Sequence, residues 1–178
     1  MIDKQNLGRR AFLKTSAVTA IGLPLASIAN AATPAGNDGF NYEVTRTDAE
    51  WRDFLSDSQY TVMRFGLTEL PHTSSLATET SEGTYSCQGC ELDLYQSVWK
   101  VELDIGWVFF SHSIPNSILT AIDGNPPDGM SNGDEDPAAM IEAHCRRCGS
   151  HLGHVVYARN QLVHCINGTA LKFTPTAA

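Results

Sequence analysis

Basic side chains are scarce in this sequence: 12 Lys+Arg stand against 20 Asp+Glu, a formal net charge of −8 over 178 residues. Four of the 12, Lys4, Arg9, Arg10 and Lys14, lie near the N-terminus, so beyond residue 31 there remain 8 basic and 19 acidic residues, a formal charge of −11. A surface of that sign disfavours nucleic acid and anionic membranes as partners. Long apolar runs are missing too. The stretch from about Ala17 to Ile28 is interrupted by Gly22, Pro24 and Ser27 and is too short to cross a bilayer comfortably. Repeats and low-complexity tracts are absent. Cysteines number only five, an odd count, so they cannot all pair with one another.

The N-terminus carries an export signal. Arg9-Arg10-Ala11-Phe12-Leu13-Lys14 is a twin-arginine signature, the apolar run follows it, and Ala29-Asn30-Ala31 fits the small-x-small cleavage rule. The pattern predicts a signal peptide over 1–31, removed before Ala32, and a destination in the bacterial periplasm with no stable membrane association after cleavage. Residues 32–44, rich in Gly, Pro and Asn, read as a flexible leader. The 147 residues left after cleavage amount to about one domain, over 45–178.

Within that domain, Thr47-Asp48-Ala49-Glu50 and Ser56-Asp57-Ser58-Gln59 are two capping boxes, predicting short helices through Leu55 and through Phe65, the second ended by Gly66. Trp51, Phe54, Tyr60 and Met63 are expected to face inward. Residues 67–82 show no periodicity and read as an arm laid over a core. From Thr84 the pattern turns to short β-branched or alternating segments, predicting strands over 84–87, 92–97, 99–104, 106–112, 140–144, 151–157, 162–167 and 170–174. Ile114 to Pro137 reads as a surface loop. The expected fold is mainly β: an antiparallel sheet domain with short N-terminal helices.

Four of the five cysteines form two knuckles, Cys87-Gln-Gly-Cys90 and Cys145-Arg-Arg-Cys148. Doubled C-x-x-C spacing is the ligand set of a tetrahedral structural zinc site. Disulfides are a rival in an oxidising compartment, but bridges within a C-x-x-C are strained and redox-active rather than structural. Cys165 is the spare thiol. A lone cysteine is more often inert and buried than nucleophilic, but this one has neighbours suited to chemistry. His151 and His154 lie upstream, with Gly153 permitting close backbone approach, and Asn167 follows two residues later on the same strand face. A thiol needs a nearby base or positive charge to ionise at neutral pH.

Cys-x-x-Cys, Gly106-Trp107, Cys-x-x-Cys, Ser150-His151-Leu152-Gly153-His154-Val155 and Cys165-Ile166-Asn167-Gly168-Thr169-Ala170-Leu171-Lys172-Phe173 resemble, in that order, the methionine-R-sulfoxide reductases of the B type (MsrB). The likeness runs from about Ala49 to Phe173 and includes Thr68-Glu69. It implies an MsrB-type fold and a catalytic set: Cys165 as nucleophile on the sulfoxide sulfur, His154 with His151 to orient and protonate, Asn167 to hold that network, and Trp107 to pack the substrate methyl group. It also implies oxidised methionine in proteins or peptides as substrate, with a sulfenic acid as the product on Cys165.

The sequence departs from the family around the site. The family's Gly-Trp-Pro-Ser-Phe is here Gly106-Trp107-Val108-Phe109-Phe110. The arginine two residues before the nucleophile is Val163, the aromatic just before it is His164, and Val155-Val156-Tyr157-Ala158 lacks the usual acidic pair, so a carboxylate partner for the histidine is expected to be missing. His164 is expected to point away from the sulfur, because neighbours in a strand face opposite ways. No resolving thiol stands at Asp104 or Ile105, so regeneration calls for an external thiol reductant such as a thioredoxin-like domain. Two other readings keep the scaffold: a zinc-stabilised binding module without catalysis, and a sensor whose output is oxidised Cys165.

Overall fold

The computed structural model describes residues 39–123 and 140–177. The expected export signal over 1–31, most of the expected leader over 32–44 and part of the expected loop fall outside the described residues. Both N-terminal helices form as their caps dictate. α1 spans Asp48–Phe54 behind the Thr47 capping box, and α2 spans Asp57–Phe65 behind the Ser56 box and stops at Gly66 with φ 71°. Trp51, Tyr60 and Met63 face inward, but Phe54 is 51% exposed. Leu55 takes the inward position instead, and the Arg46 guanidinium lies 4.4 Å from the Phe54 ring centre, shielding it as a cation over a ring.

The strands are β1 Gly83–Cys87, β2 Asp93–Gln96, β3 Val108–Phe110, β4 Ile118–Asp123, β5 Met140–Cys145, β6 His151–Ala158, β7 Gln161–Ile166 and β8 Leu171–Pro175. They make two antiparallel sheets, a small one ordered β2-β1-β8 and a larger one ordered β3-β7-β6-β5-β4. The architecture is the mainly β one expected, with two local corrections. The span 99–104 is not a strand. A 3-10 turn over Ser97–Trp99 deflects the chain, and Lys100 makes a single bridge to Phe110. The Lys100 ammonium donates to the carbonyls of Leu76 and Glu79, so a half-buried cation's demand for acceptors takes precedence over ladder pairing. The loop expected from Ile114 contains β4, whose run Ile118-Leu119-Thr120-Ala121-Ile122 pairs with β5.

The two faces of the larger sheet have different partners. One packs Val108, Phe110, Ala143, Leu152 and Ile166 into the main core with Tyr85, Leu94, Tyr95, Leu171 and the helices. The other carries a smaller apolar cluster of Leu103, Phe109 and Val163, against which Trp107, Val156 and Cys165 pack. Strand alternation produces this division, since successive side chains point to opposite sides.

Gly153 is required where β6 approaches β7. Its φ is 154°, and a Cβ there would lie 2.1 Å from the Cys165 carbonyl oxygen. The ladder is irregular beside it: Ala143 pairs with Gly153 but His144 pairs with His151, leaving Leu152 as the extra residue of a β-bulge. Gly153→Ala is expected to destabilise the fold by about 3 kcal/mol or more, because a backbone clash has no flexible side chain to absorb it. Urea denaturation checks this; a loss under about 0.5 kcal/mol would contradict it.

Candidate active site and metal centre

Cα pairing lines up one row across the larger sheet: Ala121 with Glu142, Glu142 with His154, His154 with Cys165, and Cys165 with Phe109. Directly opposed residues on adjacent strands share a face, with Cβ atoms about 4.5–5.5 Å apart. His154 and Cys165 are such a pair. By simple alternation His151 would point to the other face. The bulge at Leu152 sends Leu152 into the main core and returns His151 to the site, where its ring meets that of His154 edge to face at 5.2 Å.

Both imidazoles have carboxylate partners, which corrects the expectation that the missing acidic pair leaves the histidine without one. Nδ1 of His151 bonds Oε1 of Glu142 at 2.7 Å, and Nε2 of His154 bonds Oδ2 of Asp123 at 3.1 Å. The acids come from β5 and β4, which lie on the far side of β6 from the nucleophile strand. Burial holds the His154 pKa below its ordinary value, with the hydrogen bond to Asp123 opposing that fall. Nε2 of His151 is buried and has no hydrogen-bond partner among the described residues.

Cys165 is partly buried and free of any disulfide. Burial, with a smaller contribution from the Glu69 charge, pushes its thiol up to about 12. Val163, in the position of the family arginine, is fully buried beside Phe109 and Leu103, so the sulfur has an apolar wall where a cation is usual. His164 points to the opposite face, where its Nδ1 lies 3.1 Å from the Tyr95 hydroxyl. Burial raises that phenol, which therefore stays protonated.

Asn167 Nδ2 donates to the Leu152 carbonyl at 3.1 Å, and its Oδ1 accepts from the Glu69 backbone N–H at 3.0 Å. Glu69 has no role assigned from sequence, but it joins the site's parts. Its carbonyl accepts from Trp107 Nε1 at 3.2 Å, and its carboxylate accepts from the backbone N–H groups of Gly168 and Thr169 at 2.6 and 2.8 Å. One residue of the aperiodic arm thus ties Trp107, Asn167 and the turn after Cys165 together. Gly168 admits the arm, since a Cβ there would lie 2.1 Å from Ser74 Oγ.

The knuckles converge elsewhere. Cys87 ends β1 and Cys145 ends β5, and the four sulfurs lie within 4.8 Å of one another. Sγ–Sγ separations of 3.7 Å for Cys87–Cys148 and 3.5 Å for Cys90–Cys145 are too long for disulfides, which need about 2.05 Å. They are near the edge of about 3.8 Å that a tetrahedron has when each sulfur is 2.3 Å from a metal. The hydrogen bonds shared among the four sulfurs hold the Cys148 and Cys90 thiols low and push those of Cys87 and Cys145 up, so the cluster favours losing protons from some of its members first. The four thiols therefore fit a metal ion, which would join the turn after β1 in one sheet to the turn after β5 in the other. They offer no open position for a substrate.

The chain thus combines a mainly β domain, four converging thiols that could hold a metal ion, and a lone thiol, Cys165, paired across strands with His154. The SelR domain family matches residues 55–175. The chain is 37% identical over 140 residues to peptide methionine sulfoxide reductase B3 of Arabidopsis thaliana, covering 76% of this chain and 73% of that one. It is 35% identical over 137 residues to peptide methionine sulfoxide reductase B5 of Oryza sativa subsp. japonica (74% and 92% covered), and 33% identical over 136 residues to peptide methionine sulfoxide reductase MsrB of Leptospira interrogans (75% and 97%). The chain belongs to the SelR-domain family, that of the B-type peptide methionine sulfoxide reductases.

Metal analysis of the purified chain is expected to give about one metal ion per molecule, and Cys145→Ser to lose it. The variant's Tm should fall by at least about 10 °C, because a structural metal is worth several kcal/mol and each is about 2–4 °C at this size. A metal-free wild type with an unchanged Tm would contradict the clamp.

Proposed function

We infer that this chain is an enzyme, an oxidoreductase that reduces methionine sulfoxide in proteins or peptides, with Cys165 as its nucleophile. The observation that carries the reading is the cross-strand pairing of Cys165 with His154 on the sheet face walled by Trp107 and Phe109. The Cys165 thiol rests protonated and the buried His154 rests neutral. As the sulfoxide settles against Trp107, His154 takes the Sγ proton and Sγ attacks the sulfoxide sulfur. The proton then passes to the sulfoxide oxygen, without which the S–O bond does not break. That oxygen ends on Sγ as a sulfenic acid, so the cysteine is oxidised by two electrons and the sulfoxide is reduced by two. The Trp107 indole, fixed at its N–H by the Glu69 carbonyl, offers its ring to the sulfur-bound methyl group and selects the R epimer.

Regeneration falls to an external thiol. Besides Cys165 the chain has only the four knuckle cysteines. One reductant thiol displaces water from the sulfenic acid to give a mixed disulfide, and a second releases Cys165 as thiol. The metal is zinc, on the chemistry of a four-thiolate donor set, and it supplies a structural clamp rather than a reactive centre. The twin-arginine signature supports a periplasmic location, where a thioredoxin-like domain is the natural thiol donor. A binding module would have no use for two buried imidazoles each held by a carboxylate beside an unpaired thiol.

With dithiothreitol as reductant and both epimers of a methionine sulfoxide peptide, R-selective turnover is expected. Cys165→Ser should lower it by at least about 10³-fold. Turnover surviving in that variant would remove the nucleophile from the account. In the free protein, alkylation of Cys165 by iodoacetamide should rise about tenfold per pH unit toward about pH 12, because only the thiolate reacts. A rate already level at pH 8 would contradict the buried, protonated thiol.

A further inference from the structure

The acidic pair that usually follows the second histidine is absent from Val155-Val156-Tyr157-Ala158, yet both imidazoles are held by carboxylates drawn from other strands. Asp123 and Glu142 project from β4 and β5 onto the same face of the sheet as Cys165. Asp123 is the last described residue of β4, and alternation places it on one side with Ala121, as it places Glu142 with Met140. The four side chains are largely withdrawn from water: His151 and Glu142 are 1% and 16% exposed, His154 and Asp123 7% and 15%. A hydrogen bond to an anion in such a setting is stronger than one in water.

We propose that Asp123 and Glu142 are positioning residues of this site, fixing His154 and His151 in opposite tautomers. The proposal rests on the reductase reading for its kinetic consequence, but not for its structural one. A carboxylate accepts only, so the nitrogen facing it carries the proton. Asp123 therefore puts the proton of His154 on Nε2 and leaves a lone pair on Nδ1, the nitrogen able to take the Cys165 proton. Glu142 puts the proton of His151 on Nδ1 and leaves Nε2, buried and without a partner among the described residues, as an acceptor. One imidazole is thereby set to receive a proton from sulfur. The other is set to accept a hydrogen bond from a protonated oxygen or a water beside it.

The charge matters beyond tautomer choice. His154 becomes a cation while it holds the sulfur's proton, and Asp123 then faces it as an ion-pair partner. The titratable groups around His154 are Asp123 on β4, Glu142 on β5, His151 on β6 and Cys165 on β7. Of these, Asp123 makes the direct bond and the largest opposition to the effect of burial. Removing its charge leaves burial less opposed, so the histidine titrates at a lower pH. Activity that rises with pH as His154 becomes neutral should then have that rise moved to lower pH, with a lower plateau.

The test uses the full chain in two measurements. Long-range proton–nitrogen NMR of wild-type imidazoles should find His154 as the Nε2–H tautomer and His151 as the Nδ1–H tautomer; the reverse assignment for His154 overturns the proposal whatever the activity. The second compares Asp123→Asn and Glu142→Gln with wild type for kcat, KM and the pH profile against an R-sulfoxide peptide, with metal content and thermal unfolding as controls. Asp123→Asn is expected to lower kcat at least tenfold, change KM less than twofold and move the histidine-dependent rise to lower pH. Asparagine keeps the volume of aspartate, so a merely structural role for the residue would leave the position of that rise unchanged, and such a result overturns the proposal. Glu142→Gln should remove the charge behind His151 and lower kcat with His154 still in its Nε2–H form; undiminished kcat overturns the assignment of Glu142. Failure of the underlying reading has a separate signature: Cys165→Ser would remain active while the wild-type tautomers stayed as stated.

Discussion

The register between β6 and β7 is the constraint on which the site depends. With Val156 opposite Val163 and His154 opposite Cys165, the imidazole and the thiol share a face, and the apolar side chains Val163 and Phe109 share it with them. A slip of one residue would turn Cys165 into the main core and bring His164, now bonded to Tyr95, to the surface where the thiol stands. The close approach at Gly153 suits this register, because a side chain there would meet the Cys165 carbonyl oxygen. Leu152 and Ile166 are both fully buried on the core side, so a slip would also expose two large apolar side chains.

The four-thiol cluster and Cys165 share a scaffold but lie on different elements of it. A metal ion held by the four sulfurs would join the turns after β1 and β5, one in each sheet. β6 begins just beyond Cys148, with His151 three residues on. The Cys148 turn therefore leads directly into β6, and the bulge and the carboxylate bonds accompany the turn of its two histidines toward one face. Glu69 does the comparable task on the other side of the site, binding the N-terminal arm to Trp107 and to the turn after Cys165.

Much of this was legible in the sequence, and the gaps have physical causes. The capping boxes at Thr47 and Ser56 named both helices because a cap is local and its residues are few. The knuckle spacing and the order of motifs identified the fold and the family. β4 was hidden because its six residues end where Gly124, Asn125, Pro126 and Pro127 begin, and those turn-formers dominate any window that includes them. Lys100 was read into a strand because its capture by two carbonyls of the arm is a tertiary contact with no local signature. The carboxylates of the histidines were missed for a related reason. The residues that follow His154 carry no acid, whereas the acids that bond the histidines lie on paired strands. Counting outward from the Cys145–Cys148 turn brings Glu142 near His151 and His154, and the bulge then decides which of the two it bonds. Asp123 needs the register of one strand more.

In the proposed reaction, oxygen passes from a methionine sulfoxide to the sulfur of Cys165. Its most direct measurement is a single turnover without reductant, with dimedone present to trap sulfenic acid and peptide mass spectrometry to locate the adduct. The account predicts about one adduct per chain at Cys165 with the R epimer, little with the S epimer, and one methionine formed for each adduct. Methionine formed with Cys165 unmodified, or an adduct confined to the knuckle cysteines, would contradict it.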